Sequence, residues 1–233
     1  MILTNSAEGG TSGVAPTPAN SGGTSGDPWG VVTVGTGASV LYDNARSAHG
    51  ALAYKVSTTG TSAQAACRWT PGVTMTTAWY RTYIYLTALP TVLTRILSVW
   101  NGASIAASLM VMTTGRINIT PAAGGTSTTL QNATAIPLNQ WVRVEVRFDM
   151  STTVGAADMR IYTDPDSATV WESKTVSAQV YLAAVDNAQY GISPGAINAG
   201  PYWFDDLGFS DTDWVGPVAS GSPVTYQHAV QIG

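Results

Sequence analysis

Large apolar residues alternate with polar or small ones in short runs along most of the chain. A period of two is typical of β-strands, because successive side chains point to opposite faces of a sheet. No window of roughly eleven or more residues carries the helical period of about 3.6 residues, so we expect an all-β protein. The pattern predicts strands near residues 30–34, 39–42, 52–57, 63–69, 77–86, 95–100, 104–113, 116–120, 128–132, 141–149, 158–163, 170–176, 189–193 and 202–210.

Turn residues between these runs predict antiparallel pairing. The dipeptide Asn101-Gly102 separates two apolar runs, and Thr114-Gly115 joins the next two. Both are typical of hairpin turns. Many short antiparallel strands in one chain of 233 residues favour two packed sheets. We therefore expect an antiparallel two-sheet β-sandwich of the jelly-roll type at residues 30–215, after an extended, surface-lying Gly/Ser/Thr-rich arm at 1–29 and before a tail at 216–233.

The composition excludes several classes of protein. Only 10% of the residues are charged, and the net charge of -4 argues against a nucleic-acid partner, which requires a basic surface. Gly, Ser and Thr interrupt every apolar stretch before the roughly 18 residues that a membrane-spanning helix requires. A single cysteine, Cys67, excludes an intrachain disulfide and a cysteine-based zinc site. The N-terminus has neither a basic nor an apolar region, so we expect no secretion signal.

Three segments together resemble the concanavalin A-like and laminin-G-like jelly rolls and related carbohydrate-binding modules. Residues 42–56 contain an Asp, small residues and a Gly before an alternating strand, residues 136–146 place a turn before a Trp-containing strand, and residues 202–210 carry paired aspartates. The resemblance covers most of the chain and implies a concanavalin A-like β-sandwich. More narrowly, the Glu-Gly-Gly-Thr opening at 8–11, the low lysine content and the segment 213–217 resemble actinobacteriophage virion proteins, often labelled minor tail proteins.

The narrower resemblance implies a non-enzymatic structural protein of a bacteriophage, either a minor tail protein or a capsid decoration. It would be assembled in the host cytoplasm and lie on the virion surface. Its partners would be other virion proteins, further copies of itself and a host-surface polysaccharide. The alternative is a carbohydrate-binding module of a secreted actinobacterial protein. The low charge agrees with both interpretations, because desolvation costs less free energy for small polar residues than for Lys and Glu when a neighbour or glycan covers them.

Catalytic signatures are weak, and we expect no enzyme. Arg143, Glu145 and Arg147 share one strand face, in the Arg-x-Glu-x-Arg spacing of alginate-lyase-type jelly rolls. A lyase also needs an acid and a base at the sugar, and neither His49 nor His228 lies in a suitable strand. The three charges are therefore expected on a solvent-facing strand, paired along and across the sheet. The Glu-x-Asp-x-Glu strand of jelly-roll hydrolases is also absent from the sequence. A polysaccharide-active enzyme is therefore kept only as the third interpretation, after the virion protein and the carbohydrate-binding module.

A row of aromatic and basic residues is the candidate carbohydrate site. Trp79, Arg81, Tyr83 and Tyr85 share one face of their predicted strand. Exposed aromatic rings can stack on the apolar faces of sugars. If the aliphatic residues of this strand mark the core, the row faces outward. The alternative is that the rings pack under loops or against an adjoining strand.

The last predicted strand carries two adjacent aspartates, Asp205 and Asp206. Alternation would send their side chains to opposite faces of the sheet, so one carboxylate would point into the core or lie at its rim. A carboxylate there needs a partner that offsets the cost of burying its charge. The resemblance to calcium-stabilised carbohydrate-binding jelly rolls implies that Glu8 and Asp206 meet at one structural Ca²⁺, an ion that prefers oxygen ligands. The alternative is that these carboxylates accept hydrogen bonds from loop amides or an arginine. We expect no other cofactor.

Overall fold

Fourteen β-strands make up the regular structure of this protein in a computed structural model that describes residues 1–59, 63–121, 130–196 and 200–218. In chain order they are β1 Ile2–Asn5, β2 Val31–Val34, β3 Ala38–Asp43, β4 Ala53–Thr58, β5 Ala63–Trp69, β6 Thr77–Leu86, β7 Thr94–Asn101, β8 Ser104–Val111, β9 Ile117–Pro121, β10 Trp141–Asp149, β11 Gly155–Tyr162, β12 Glu172–Gln179, β13 Asn187–Ala196 and β14 Tyr202–Ser210. Among these residues, no helix is long and apolar enough to cross a membrane.

The strands form two antiparallel sheets. The first has the order β12-β11-β10-β6-β14-β4-β3, with β1 also paired to β14, and the second has the order β2-β5-β13-β7-β8-β9. The predicted all-β sandwich is therefore confirmed. The hairpins predicted at Asn101-Gly102 and Thr114-Gly115 are present as the pairs β7–β8 and β8–β9.

The bounds of β5, β6, β10 and β14 agree with the prediction. The other predicted strands are displaced by a few residues, and β1 was not predicted. The strand predicted at 128–132 lies partly outside the described residues. Its described part contributes a single bridge, between Gln131 and Asn118.

One face of the first sheet packs against the second sheet and forms the hydrophobic core. Alternate residues of β6 and β14, such as Tyr80, Ile84 and Phe204, are buried in this core. Complete burial of such a side chain contributes roughly 1.5–3 kcal/mol to stability. Tyr190 of the second sheet donates its hydroxyl to the carbonyl of Gly208 in β14, 2.6 Å away, and so joins the two sheets.

Residues 1–29, expected as a surface-lying arm, pack against the sandwich. Asn5 of β1 donates its side-chain amide to the carbonyls of Ser21 and Asp27 and accepts a 2.6 Å hydrogen bond from the Tyr54 hydroxyl. The same hydroxyl accepts a 3.0 Å bond from the indole of Trp29, which is buried. Residues 1–29 can pack in this way although most of them are small, because backbone carbonyls rather than large side chains complete the hydrogen bonds around Asn5.

A β-bulge in β14 decides where its aspartates point. Asp205 pairs with Tyr83 of β6 and Gly208 with Arg81, so β14 has one extra residue between the two pairs. Asp206 has a left-handed backbone with φ of 44°, a conformation that Asp adopts more readily than most residues. The expectation that alternation sends the two carboxylates to opposite faces is wrong, because the bulge interrupts the alternation.

Candidate functional site

The face of the first sheet that points away from the core, here called the outer face, carries rings and charges in three rows. Each row runs across β10, β6 and β14 by direct pairing of residues. The aromatic row contains Trp141, Tyr85 and Trp203; the central row contains Arg143, Tyr83 and Asp205; the third row contains Glu145, Arg81 and Gly208.

The aromatic row is the more accessible part of the outer face. Trp141 and Tyr85 are half-buried, with ring centroids 5.6 Å apart, and Tyr85 lies 6.0 Å from Trp203. The guanidinium of Arg46 stacks on Trp203 at 4.4 Å and on Tyr85 at 5.0 Å. Among the described residues, no carboxylate lies within ion-pair distance of Arg46. Rings with a cation on top form a platform that still has open surface.

A buried ion pair joins the central row to the third row. Arg143 and Glu145 are each 1% exposed, and Arg143 Nε lies 2.9 Å from Glu145 Oε1. The guanidinium of Arg143 also donates to the carbonyls of Pro165 and Ser167, at 2.6 and 2.9 Å, and stacks on Tyr162 at 3.7 Å. Burial raises the pKa of Glu145, and the positive charge of Arg143 opposes that rise. The expectation of solvent-facing charges is therefore wrong for these two residues, because a loop covers them.

Arg147, the third member of that spacing, is 37% exposed and pairs with Asp149 and Asp158 at 2.5 and 3.4 Å. Its guanidinium also lies 5.8 Å from the ring centre of Trp79. At Arg147, the predicted pairing along and across the sheet is present.

His49 connects two loops over the outer face. Its Nδ1 lies 2.5 Å from Asp206 Oδ2, and its Nε2 lies 3.0 Å from Asp166 Oδ1. The Asp206 hydrogen bond raises the pKa of His49 against the opposing effect of burial, and the negative charges of Asp206 and Asp166 add to the rise. The ring packs edge-on against Tyr83, with centroids 5.4 Å apart. As expected, His49 lies outside the strands. It nevertheless reaches the outer face, because the β3–β4 loop folds back over β6 and β14.

The neighbouring Asp205 is completely buried. It accepts hydrogen bonds from the backbone N–H groups of Ala48, Asp206 and His49, at 2.8, 2.8 and 3.4 Å. Burial first, and then the adjacent charge of Asp206, hold the pKa of Asp205 well above its usual range. Both aspartates contact the Ala48–His49 segment, so both carboxylates lie on the outer face. Asp205 and Asp206 thus fix the β3–β4 loop to the sheet.

Residues 214–218, here called the strap, cross the third row. Arg81 donates to the carbonyl of Gly216 at 2.9 Å, and the backbone N–H of Val218 donates to the Tyr83 hydroxyl at 3.0 Å. The guanidinium of Arg160 stacks on the Trp214 ring at 3.8 Å. The strap therefore helps to cover the polar rows. The rest of the predicted tail, together with His228, lies outside the described residues.

The four predicted carbohydrate-binding residues share the outer face but differ in accessibility. Trp79 and Tyr85 are half-buried, whereas Arg81 and Tyr83 are 5% and 0% exposed. The four residues point away from the core, as the first interpretation stated, but Tyr83 packs under a loop and the strap, as the alternative stated. Sequence reasoning missed Arg46, Trp141, Trp203, His49 and Asp166 as members of the site. Trp141 and Trp203 could have been found from the strand register, but His49, Asp166 and Arg46 come from loops, where the sequence carries no periodic signal.

The two predicted calcium ligands have protein partners. The carboxylate of Glu8 accepts hydrogen bonds from the backbone N–H groups of Ala51 and Leu52, at 2.8–3.0 Å, and Asp206 contacts His49. Loop amides were the stated alternative for Glu8. Among the described residues, no three His, Cys, Asp or Glu side chains form a group that could hold a metal ion. A calcium site completed by backbone carbonyls stays a prediction.

The fold resembles solved structures at low sequence identity. "Cellulose induced protein, Cip1" matches with a TM-score of 0.59 and 14% identity, over 79% of this chain and 93% of that chain. An endo-β-1,4-glucuronan lyase from the fungus Trichoderma reesei matches with a TM-score of 0.57 and 12% identity, over 87% and 96%. Such low identities show the shared jelly-roll fold alone. No protein-family model and no curated protein matches the sequence.

Proposed function

We propose that this protein binds a polysaccharide on its outer face, with the aromatic row as the platform. The observation that carries this proposal is the half-buried pair Tyr85 and Trp141, backed by Trp203 and covered in part by the Arg46 guanidinium. Flat rings contribute a large apolar contact area with few rotatable bonds. The guanidinium of Arg46 can donate hydrogen bonds to hydroxyl or carboxylate groups of a sugar. The mixture of rings and donors suits a saccharide better than a purely apolar ligand.

The names of the two structural neighbours support a saccharide as the ligand class. One is a protein induced by cellulose, and the other is a lyase for glucuronan. These names favour the interpretation of this chain as a carbohydrate-binding module over its interpretation as a virion protein. A virion location remains a prediction from the sequence, and detection of the protein in purified particles would test it. A binding function is compatible with either location.

We further propose that binding occurs without catalysis. Both ring nitrogens of His49 face carboxylates of the same chain, and Asp205 is completely buried. These groups are occupied in holding loops, so a substrate would have to displace Asp166 to reach the imidazole. Incubation with a broad panel of glycans should release no oligosaccharide products. Release of unsaturated or reducing ends above a no-protein control would contradict this part of the proposal.

The binding proposal is tested with soluble polysaccharides by affinity electrophoresis and isothermal titration calorimetry. Tyr85→Ala removes the central ring of the platform and should weaken binding about tenfold, as expected for a contact residue worth more than 1 kcal/mol. The matched control is Trp171→Ala, which removes a 40% exposed ring that is not part of the aromatic row. Equal affinity of the Tyr85 variant and the wild-type protein for every bound glycan would refute the platform.

A further inference from the structure

The strap contacts the outer face through polar groups that a saccharide could replace. Arg81 donates to a strap carbonyl and the Tyr83 hydroxyl accepts from a strap N–H. The backbone N–H of Gly216 is close enough to the Glu145 carboxylate to oppose the rise in its pKa. Each partner in the strap is therefore either a donor or an acceptor. A sugar hydroxyl is both. A row of hydroxyl groups could satisfy the same three side chains without leaving a buried polar atom unpaired.

The strap is also held loosely compared with a strand. It belongs to no sheet, and its five residues are half-buried or exposed. Besides its hydrogen bonds, the attachment includes the stack of Arg160 on Trp214 and the close approach of Val215 to Gly208. A neutral hydrogen bond contributes a net stability of only about 0.5–1.5 kcal/mol. Segments with few buried apolar contacts open locally at low cost.

The strap lies beside the proposed platform. Tyr85 of the aromatic row and Tyr83, which binds the strap, are two residues apart on the same face of β6. Residues at this spacing are nearest neighbours along one side of a strand. Arg81 follows at the same spacing. A saccharide that starts on the aromatic row and continues along β6 would therefore meet the strap.

We propose that the strap masks the second part of the saccharide site, a polar subsite formed by Arg81, Tyr83 and Glu145. This proposal rests on the proposed polysaccharide binding. A short oligosaccharide occupies the aromatic row alone, whereas a longer one displaces the strap and binds the three polar side chains. The strap thus sets a minimum length of oligosaccharide for tight binding. The free energy needed to displace the strap makes the binding of long oligosaccharides weaker than it would be without the strap.

Two variants of the full chain weaken the strap while all three proposed ligand residues are kept. In Gly208→Ala the added Cβ would lie 2.8 Å from Val215 Cγ1, so the Val215 side chain must shift and its contact with β14 is disturbed. Arg160→Ala removes the stack on Trp214. The matched control is Gly30→Ala, whose Cβ would meet the Thr70 hydroxyl at 2.4 Å, outside the outer face. All three proteins should be compared at temperatures where melting curves show that they are folded.

The experiment measures affinity for an oligosaccharide series of increasing length, taken from a polysaccharide that the wild-type protein binds. Both strap variants should bind the longer members about fivefold to tenfold more tightly, a typical coupling between two sites, and the shortest members with unchanged affinity. Hydrogen exchange should show that the long oligosaccharide removes protection from the amides of Gly216 and Val218. The Gly30 variant should behave as the wild-type protein does at every length.

Two results separate the strap proposal from the binding proposal. If Tyr85→Ala weakens binding but neither strap variant strengthens it, and the two strap amides stay protected in the complex, the strap proposal is refuted and the platform stands. If the wild-type protein and both strap variants bind no saccharide at any length, both proposals are refuted. A gain in the Arg160 variant alone would support the strap proposal, because the new methyl group in Gly208→Ala also lies within 3.4 Å of Arg81.

Discussion

Both faces of the first sheet contain buried side chains, but these are buried by different means. The core face is closed by the second sheet, with apolar side chains such as Ile84 and Phe204. The outer face is covered only in part, by loops and the strap, and its buried groups include Arg143, Glu145 and Asp205. An apolar face gains stability from burial itself, whereas a polar face must satisfy each donor and charge. Burial alone therefore does not identify the core of this protein.

Some outer-face side chains should therefore contribute as much to stability as core residues do. Arg143→Ala would leave the Glu145 carboxylate buried without its main partner and would free two loop carbonyls. Removal of one partner from a buried ion pair costs about 3–5 kcal/mol. We expect a loss of this size in the free energy of unfolding, measured by urea denaturation with an unchanged m-value.

Two controls bracket that result. Phe204→Ala on the core face should also cost about 3–5 kcal/mol, from lost transfer energy and a cavity. Arg147→Ala removes an arginine with two exposed ion pairs and should cost about 0–1 kcal/mol. If Arg143→Ala were as mild as Arg147→Ala, the Arg143–Glu145 pair would be accessible to water, and its burial would not contribute to stability as the core does.

A smaller effect is expected where the β3–β4 loop is fixed at its far end. Gly50 has φ of 64°, and a Cβ there would lie 2.3 Å from Glu8 Cδ. Gly50→Ala should strain the backbone and push Glu8 away from the amides of Ala51 and Leu52. Replacement of a glycine at positive φ costs on the order of 1–2 kcal/mol, and the lost hydrogen bonds add to it. Urea denaturation measures the sum.

The control is Gly102→Ala, which has a similar φ of 57° but no atom within 4 Å of the new Cβ. It should carry the backbone cost alone. The difference between the two variants then isolates the contact with Glu8 and the attachment of the loop. Equal losses in both variants would mean that Glu8 does not hold the loop over the outer face.

Most of the fold was predictable because alternation reports directly on strands. In β6 and β10 every second residue faces the core, and all of these residues except Thr82 are apolar, so the bounds of both strands could be predicted from the sequence alone. Near the N-terminus the same reasoning failed. Small residues there bury backbone groups around Asn5 rather than large side chains, and no hydrophobic period marks such packing.

The candidate site was predictable only where it belongs to a strand. The side of β6 that carries Tyr85 follows from alternation. The bulge at Asp206 does not, because one inserted residue changes the facing of its neighbours without changing the composition. The contact of His49 with Asp206 joins residues 157 positions apart. Such contacts depend on how loops fold over a sheet, which a local pattern cannot encode.

The smallest expected effect concerns pH, and only the outer face should show it. The folded protein holds the proton of His49 more tightly than the unfolded chain, because Asp206 and Asp166 contact its ring while Tyr83 packs beside it. The proton therefore stabilises the fold fully below the unfolded-state pKa of 6.5. This stabilisation is lost as the pH rises through the higher folded-state pKa.

His49→Gln should remove this loss, so the unfolding free energy of the wild-type protein should fall more steeply than that of the variant above pH 6.5. Asp205 also has a raised pKa, and its effect has the same sign. It is present in both proteins, so the difference between their pH profiles reports on His49 with Asp206 and Asp166. If the unfolding free energies of the two proteins changed in parallel above pH 6.5, the proton on His49 would not hold the two loops together. Burial of the polar side chains on the outer face would then depend on the other loop contacts and the strap.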